Sequence, residues 1–226
     1  MFNSKKIQGK IIDWYSQTLA SSSPFSPYPA LSSEELNGLM SYMGLLQRWG
    51  AKIDLVSDLS DDSIIGKHLI DSIILSRFVN FTLKVSPEVA LIDVGSGAGL
   101  PGLVSAILDQ SRKHYLVEPR KKRWVFLSEV VRQLKLANVE LHCSDLAVFC
   151  KSLKINGSIV THRALDLVDD LLICVKNLIS KDSYLVDMVV DKHSKNEAYF
   201  NLKETIVYSL PPDNAKRTIV AWGYKA

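Results

Sequence analysis

The residues best suited to chemistry fall in one stretch, Asp93-Val94-Gly95-Ser96-Gly97-Ala98-Gly99-Leu100-Pro101-Gly102, at the end of the apolar run ALIDVG (90–95). Closely spaced glycines after a strand let the backbone approach a ligand, and the N-terminus of a following helix favours negative charge. Pro101 suits the first turn of such a helix. Glu118 lies 19 residues past Gly99, at the end of the next apolar run, HYLVEP (114–119). A carboxylate in that place can accept hydrogen bonds from a ribose diol.

Two ligands fit the pattern. Gly97, Gly99 and Gly102 satisfy G-x-G-x-x-G, which would suit NAD. In the other register, Asp93 stands at the strand end just ahead of Gly95, Gly97 and Gly99. A carboxylate there repels a pyrophosphate and suits a cation with an amino group, such as S-adenosylmethionine, with Asp145 near the adenine amino group. A tight strand-to-helix turn without any ligand is the third reading.

If a methyl group is transferred, the acceptor dictates which residues are needed. Methylation of pyrimidine carbon 5 needs a cysteine nucleophile, often after proline, but Cys143, Cys150 and Cys174 follow His, Phe and Ile. Amino-group methylation often uses an Asn/Asp-Pro-Pro-aromatic loop after the fourth strand, where this chain reads His162-Arg163-Ala164. A ring nitrogen such as guanine N7 has an in-plane lone pair and no proton to lose, so positioning and electrostatics suffice. Arg163, at the mouth of the sheet, would contact cofactor or acceptor; a surface ion pair is the alternative. The run Arg120-Lys121-Lys122-Arg123 could hold RNA phosphates or could be a solvated helix start. Four cations at a helix N-terminus oppose its dipole, which favours the functional reading. His68 and Asp71, three residues apart on one helix face, lack further metal ligands and are expected to form a structural histidine–carboxylate contact.

The elements that must position these groups are legible in the apolar pattern. Residues 4–20 carry Ile7, Ile11, Trp14, Tyr15 and Leu19 at helical spacing. Residues 21–30 are Ser/Pro-rich, and Ser32 with Glu35 three residues on predicts a capping box for a second helix. A third helix is expected from about 63 to 78. From residue 89 strand-like runs alternate with helical ones: strands at 90–95, 114–119, 139–145, 158–163 and 184–190, helices at 124–135 and 165–179, and a terminal hairpin from ETIVYSLPP and RTIVAWGY. Alternation of this kind means a parallel sheet with helices on both faces.

Composition narrows the class without naming a function. The chain has 226 residues, 47% hydrophobic and 23% charged, which excludes a disordered or collagenous chain. A net charge of +3 is too mild to identify a nucleic-acid partner by itself. Three cysteines without C-x-x-C spacing argue against a disulfide framework or zinc knuckle and for a reducing compartment. The apolar stretch 89–108 contains Asp93, four glycines and Pro101, unlike a lipid-facing helix. No secretory signal is expected, since Lys5, Lys6, Lys10 and Asp13 interrupt the first 20 residues.

From about residue 36 onward the chain resembles the RsmG (GidB) family of bacterial guanine-N7 methyltransferases acting on small-subunit ribosomal RNA. The resemblance is carried by LLQRWGAKIDLVS (45–57), KHLIDSI (67–73), IDVGSGAGLPG (92–102), Glu118, Lys122-Arg123, LKLANVEL (134–141) and Arg163-Ala164. It implies a Rossmann-like class I S-adenosylmethionine-dependent methyltransferase fold, a mixed seven-stranded sheet with helices on both faces (81–226), preceded by an N-terminal helical extension (1–80). It also implies transfer of a methyl group from S-adenosyl-L-methionine to a guanine in the 530 loop of 16S rRNA, in a 30S subunit or an assembly intermediate. The expected enzyme is a cytoplasmic monomer with no metal and no membrane contact. Asp93, Gly95, Gly97, Gly99, Leu100, Glu118, Asp145, Leu146, Ala147 and Arg163 would line the cofactor site, Arg163 would also serve catalysis, and Arg120, Lys121, Lys122 and Arg123 would bind RNA. The chain departs from the family in several places. Asp145-Leu146-Ala147 replaces Arg-x-Glu, His162 replaces serine, Gly50 and Asp54 replace asparagines, and Met188-Val189-Val190-Asp191 lacks the Lys-Gly. These departures motivate the rivals: another RNA or small-molecule acceptor, or a non-catalytic RNA- or nucleotide-binding protein on the same fold.

Overall fold

The computed structural model describes residues 4–21, 28–152, 157–163, 169–179, 183–189 and 198–225, without the side chains of 169–171 and 189. Helix α1 (Ser4–Ala20) buries Ile7, Ile11 and Tyr15, as its spacing predicts. Helix α2 (Ser33–Gly50) starts with the expected capping box: Ser32 Oγ accepts the Glu35 N–H at 3.1 Å and Glu35 Oε2 accepts the Ser32 N–H at 2.7 Å. Glu35 also pairs with Arg77 at 2.9 Å, both largely buried, which locks α2 to the third helical segment. That segment is longer than its apolar spacing suggests. A short α-helix, α3 (Asp71–Arg77), is flanked by π-helical turns at Ser63–Ile70 and Phe78–Thr82. The wider π turns bury nearly every side chain from Ser63 to Val79, so no single 3.6-residue stripe marks the end of the helix.

Seven strands follow: β1 (Ala90–Val94), β2 (His114–Val117), β3 (Val139–His142), β4 (Ser158–Arg163), β5 (Tyr184–Val189), β6 (Phe200–Leu210) and β7 (Ala215–Tyr224). Their order is β3-β2-β1-β4-β5-β7-β6, with β7 antiparallel to both neighbours and the rest parallel. This is the expected Rossmann-like class I methyltransferase sheet. The terminal hairpin forms as predicted, while β3 ends at His142, short of the expected Asp145. The intervening helices are α4 (Gly102–Leu108), α5 (Lys121–Leu134), α6 (Leu146–Ser152) and α7 (Asp169–Leu178). Helix α5 starts at Lys121 rather than Trp124, because Arg120 is extended and acts as its N-cap. The part of the last predicted helix before residue 169 lies outside the described residues.

Strand alternation splits the apolar residues between two cores. Leu91, Leu116, Ile159, Val186 and Ala221 face the larger core, where α1, α2, α3, α4 and α5 supply Ile11, Leu39, Ile73, Leu103 and Phe126. Their neighbours Ile92, Val117, Val160, Leu185 and Trp222 face a smaller core closed by Phe149 of α6 and Leu172 and Val175 of α7. The helical lead-in therefore shares its core with the sheet. Buried Arg112 ties the two together, donating to the Ser86, Val89 and Val85 carbonyls and to Asn80 Oδ1 while pairing with Asp109 at 3.0 Å.

Candidate functional site

The strand order reverses between the parallel strands β1 and β4, and the crevice at the carboxyl ends of those strands is where ligands bind in open α/β sheets. The β1–α4 loop fills it. Gly95, Gly97 and Gly99 have φ of 68°, 56° and 88°, a left-handed path that glycine adopts without strain. A Cβ on Gly97 would meet nothing closer than 3.7 Å, so that backbone borders open space. Gly102 answers a different need. A Cβ there would lie 2.5 Å from Asp93 Oδ2, which already accepts the Gly102 N–H at 3.1 Å. Asp93 is thus turned into the protein, 1% exposed, and pins the start of α4 instead of facing the cavity. Burial pushes its carboxyl up to about 6, against the opposing pull of its hydrogen bonds.

A cavity of about 340 Å³ opens over the loop, lined by Gly95 to Ala98, Leu100, Leu55, Glu118, Pro119, Arg120, Arg123 and Arg163. Glu118 forms part of its wall. Its Oε2 accepts the Gly97 N–H and its Oε1 the Arg120 N–H, both at 2.8 Å. Each carboxylate oxygen has a further lone pair for a ligand hydroxyl. Tyr42 of α2, absent from the sequence reading, donates to the Ala98 carbonyl at 2.7 Å and holds the loop from beneath. Local spacing carries no signal of that contact, whose partner is 56 positions away.

Strand parity explains the opposite fates of the last two β4 residues. Arg163 shares the face of Ile159 and lines the cavity from the lead-in side, donating to the Lys67 carbonyl at 3.4 Å. His162 shares the face of Val160 and pairs with its cross-strand partner Asp187 on β5 at 2.7 Å, whose other oxygen accepts Trp222 Nε1 at 2.8 Å. The expected His68–Asp71 contact does not form. Asp71 instead accepts the Tyr208 hydroxyl at 2.5 Å and lies 3.8 Å from Arg163, while His68 Nδ1 is buried with no partner among the described residues. Helical spacing could not anticipate this, because Tyr208 is 137 positions away. Burial lowers the His68 imidazole to about 4, so it is neutral near pH 7.

The basic run surrounds a second cleft of about 430 Å³, formed by Arg120 to Arg123 with Lys52, Ile53 and Asp54. Lys121 sits over the Trp124 ring at 4.1 Å, and Arg123 donates to the Asp54 carbonyl at 3.2 Å. Arg120 and Arg123 belong to both cavities. Asp145, Leu146 and Ala147 are not among the cavity-lining residues: Asp145 caps α6 by accepting the Val148 N–H at 2.8 Å, and Leu146 is buried. Ala164, Val190 and Asp191 lie outside the described residues. A larger groove, about 980 Å³, runs between α2 and the ends of α4 and α5 and contains none of the glycine-loop residues. Among the described residues no cluster of His, Cys, Asp and Glu could hold a metal, and no helix is long and apolar enough to cross a membrane.

Known proteins resemble this chain in sequence and in fold. Over 136 residues the chain is 38% identical to the ribosomal RNA small subunit methyltransferase G of Clostridium beijerinckii, an alignment covering 59% of this chain and 55% of that protein. It is 28% identical over 190 residues to the enzyme of the same name from Dichelobacter nodosus, covering 84% of this chain and 86% of the other. In three dimensions it is similar to a mutant of MtNAS solved in complex with S-adenosylmethionine, with a TM-score of 0.56 over 98% of this chain and 97% of that one, at 10% identity. Residues 35–216 match the GidB family, described as rRNA small subunit methyltransferase G. With the match extending from α2 to β7 and enclosing the glycine loop, Glu118 and Arg163, the chain belongs to the GidB, rRNA small subunit methyltransferase G, family.

Proposed function

We propose that this protein is an S-adenosylmethionine-dependent methyltransferase of 16S rRNA that modifies N7 of a guanine. The observation that carries the reading is the junction of the two cavities: the glycine-loop cavity and the cationic cleft share Arg120 and Arg123. A methyl donor in the first thus lies beside phosphates held in the second. The cofactor supplies an electrophilic methyl group on sulfur, which passes to the N7 lone pair without loss of a proton. The protein's task is therefore to bind, orient and exclude water. Gly95, Gly97, Gly99 and Leu100 would cradle the cofactor and Glu118 its ribose, with Asp93 acting through Gly102. Asp145, Leu146 and Ala147, at the N-terminus of α6 and outside the cavity, would border the adenine where the cofactor extends past it. Arg163 would stand between cofactor and base, while Arg120, Lys121, Lys122 and Arg123 engage the RNA backbone. The substrate would be a 30S subunit or an assembly intermediate, and the enzyme a cytoplasmic monomer.

The test is a mass map of 16S rRNA from a strain lacking the gene. One 7-methylguanosine should be missing and should return with the wild-type gene but not with Arg163→Ala, whose transfer rate should fall by about 100-fold or more. An unchanged map would reject the acceptor. Calorimetric binding of NADH but not S-adenosylmethionine would reject the cofactor.

A further inference from the structure

The pairing of Asp71 gives the His-x-x-Asp-Ser element a role that its spacing does not suggest. Asp71 is 4% exposed, and its carboxylate meets two partners from distant parts of the chain, the Tyr208 hydroxyl on β6 and the Arg163 guanidinium on β4. Tyr208 is itself buried, and burial beside a carboxylate drives its pKa far up, so it remains a hydrogen-bond donor. Arg217 is the remaining charge that acts on Asp71. A buried carboxylate persists only with such partners, and the cation it pairs with here is one of three arginines, with Arg120 and Arg123, that line the cofactor cavity.

Charge balance makes that pairing consequential. S-adenosylmethionine is a sulfonium cation and 7-methylguanosine carries a positive charge, and Arg120 and Arg123 already bring positive charge to the cavity, so a third, uncompensated guanidinium would further oppose both. Paired with Asp71 at 3.8 Å, Arg163 keeps N–H groups for orientation while its charge is partly offset; burial raises the Asp71 pKa, and Arg163 and Tyr208 pull against that rise. Resting on the reading of this cavity as the S-adenosylmethionine site, we propose that Asp71 and Tyr208 are positioning residues: Asp71, held by Tyr208, orients Arg163 and offsets part of its charge so that the cavity accepts a cationic sulfonium. The helical lead-in thereby takes part in cofactor selection through α3.

The purified chain, as wild type, Asp71→Asn and Tyr208→Phe, is titrated calorimetrically with S-adenosylmethionine and with S-adenosylhomocysteine, the neutral thioether. Asp71→Asn should weaken S-adenosylmethionine by about tenfold and the thioether by less than about twofold. Tyr208→Phe should shift the ratio in the same direction by about threefold. Adding Arg163→Gln to Asp71→Asn removes both charges and should bring the ratio back to within about twofold of wild type. Equal weakening of both ligands, or an unchanged ratio, overturns the inference, since loss of packing does not distinguish a sulfonium from a thioether. If Asp71→Asn fails to fold, the ratio in Tyr208→Phe decides. A wild-type chain that binds neither ligand overturns the cofactor reading and this inference with it; one that binds both, with the ratio unmoved by the variants, overturns this inference alone.

Discussion

On the sheet face covered by α1 to α5, polar groups from the lead-in reach the glycine loop and Arg163: Tyr42 to the Ala98 carbonyl, and the Lys67 backbone carbonyl and Asp71 to Arg163. On the face covered by α6 and α7, His162 and Trp222 both bond Asp187, and buried Ser158 donates to the Leu178 carbonyl at 2.8 Å. One face thus couples packing to the site, while these polar contacts on the other join β4, β5, β7 and α7. The difference follows from strand parity, since neighbouring residues of one strand, such as His162 and Arg163, belong to different cores.

Substitutions that separate stability from binding can break this contrast. Leu178→Ala, at the end of α7 in the smaller core, should cost about 2–5 kcal/mol in urea unfolding while leaving S-adenosylmethionine affinity within about twofold. A large loss of affinity would mean that the second face also shapes the site. Asp93 gives a pH-dependent probe of the first face. Its folded pKa, about 6, exceeds its ordinary 3.8, so the stability it contributes is full below about 3.8 and is lost as pH rises through 6. Asp93→Asn should therefore gain about 2 kcal/mol relative to wild type between pH 4 and 7, read from denaturation at both pH values; a pH-independent difference would contradict the buried, Gly102-bonded carboxylate.

Smaller effects sharpen the picture. Gly102→Ala forces a methyl group against Asp93 and should destabilise by about 1–3 kcal/mol, with weaker cofactor binding because the loop and α4 shift together. Tyr42→Phe deletes a single buried hydrogen bond and should cost about 1 kcal/mol in stability. Its informative readout is a several-fold loss of S-adenosylmethionine affinity, and unaltered affinity would show that the loop keeps its shape without α2.

Much of the site was legible because its signals are local. A strand ending in glycines, a carboxylate at the end of the next strand and a basic run at a helix start are each set by residues close in sequence, and the cavity brings Gly95, Gly97, Leu100, Glu118, Arg120 and Arg123 together. Asp93 was placed correctly in the chain, but its direction was not legible: whether it faces a ligand or the Gly102 N–H depends on how α4 returns over β1. Asp71 is the sharper case. Its spacing from His68 suggested a partner on the same helix, and the fold supplied Tyr208 and Arg163 from strands at the other end of the chain.

By itself the sequence determined the capping box, the order of strands and helices, the glycine loop and the family resemblance, because these depend on backbone preferences and apolar period over short spans. Tertiary structure alone decided which carboxylates face the cavity, which are buried as supports, and that the lead-in helices hold Arg163. Buried polar groups must find partners once water is removed, and the packing of distant segments determines which partners lie within reach.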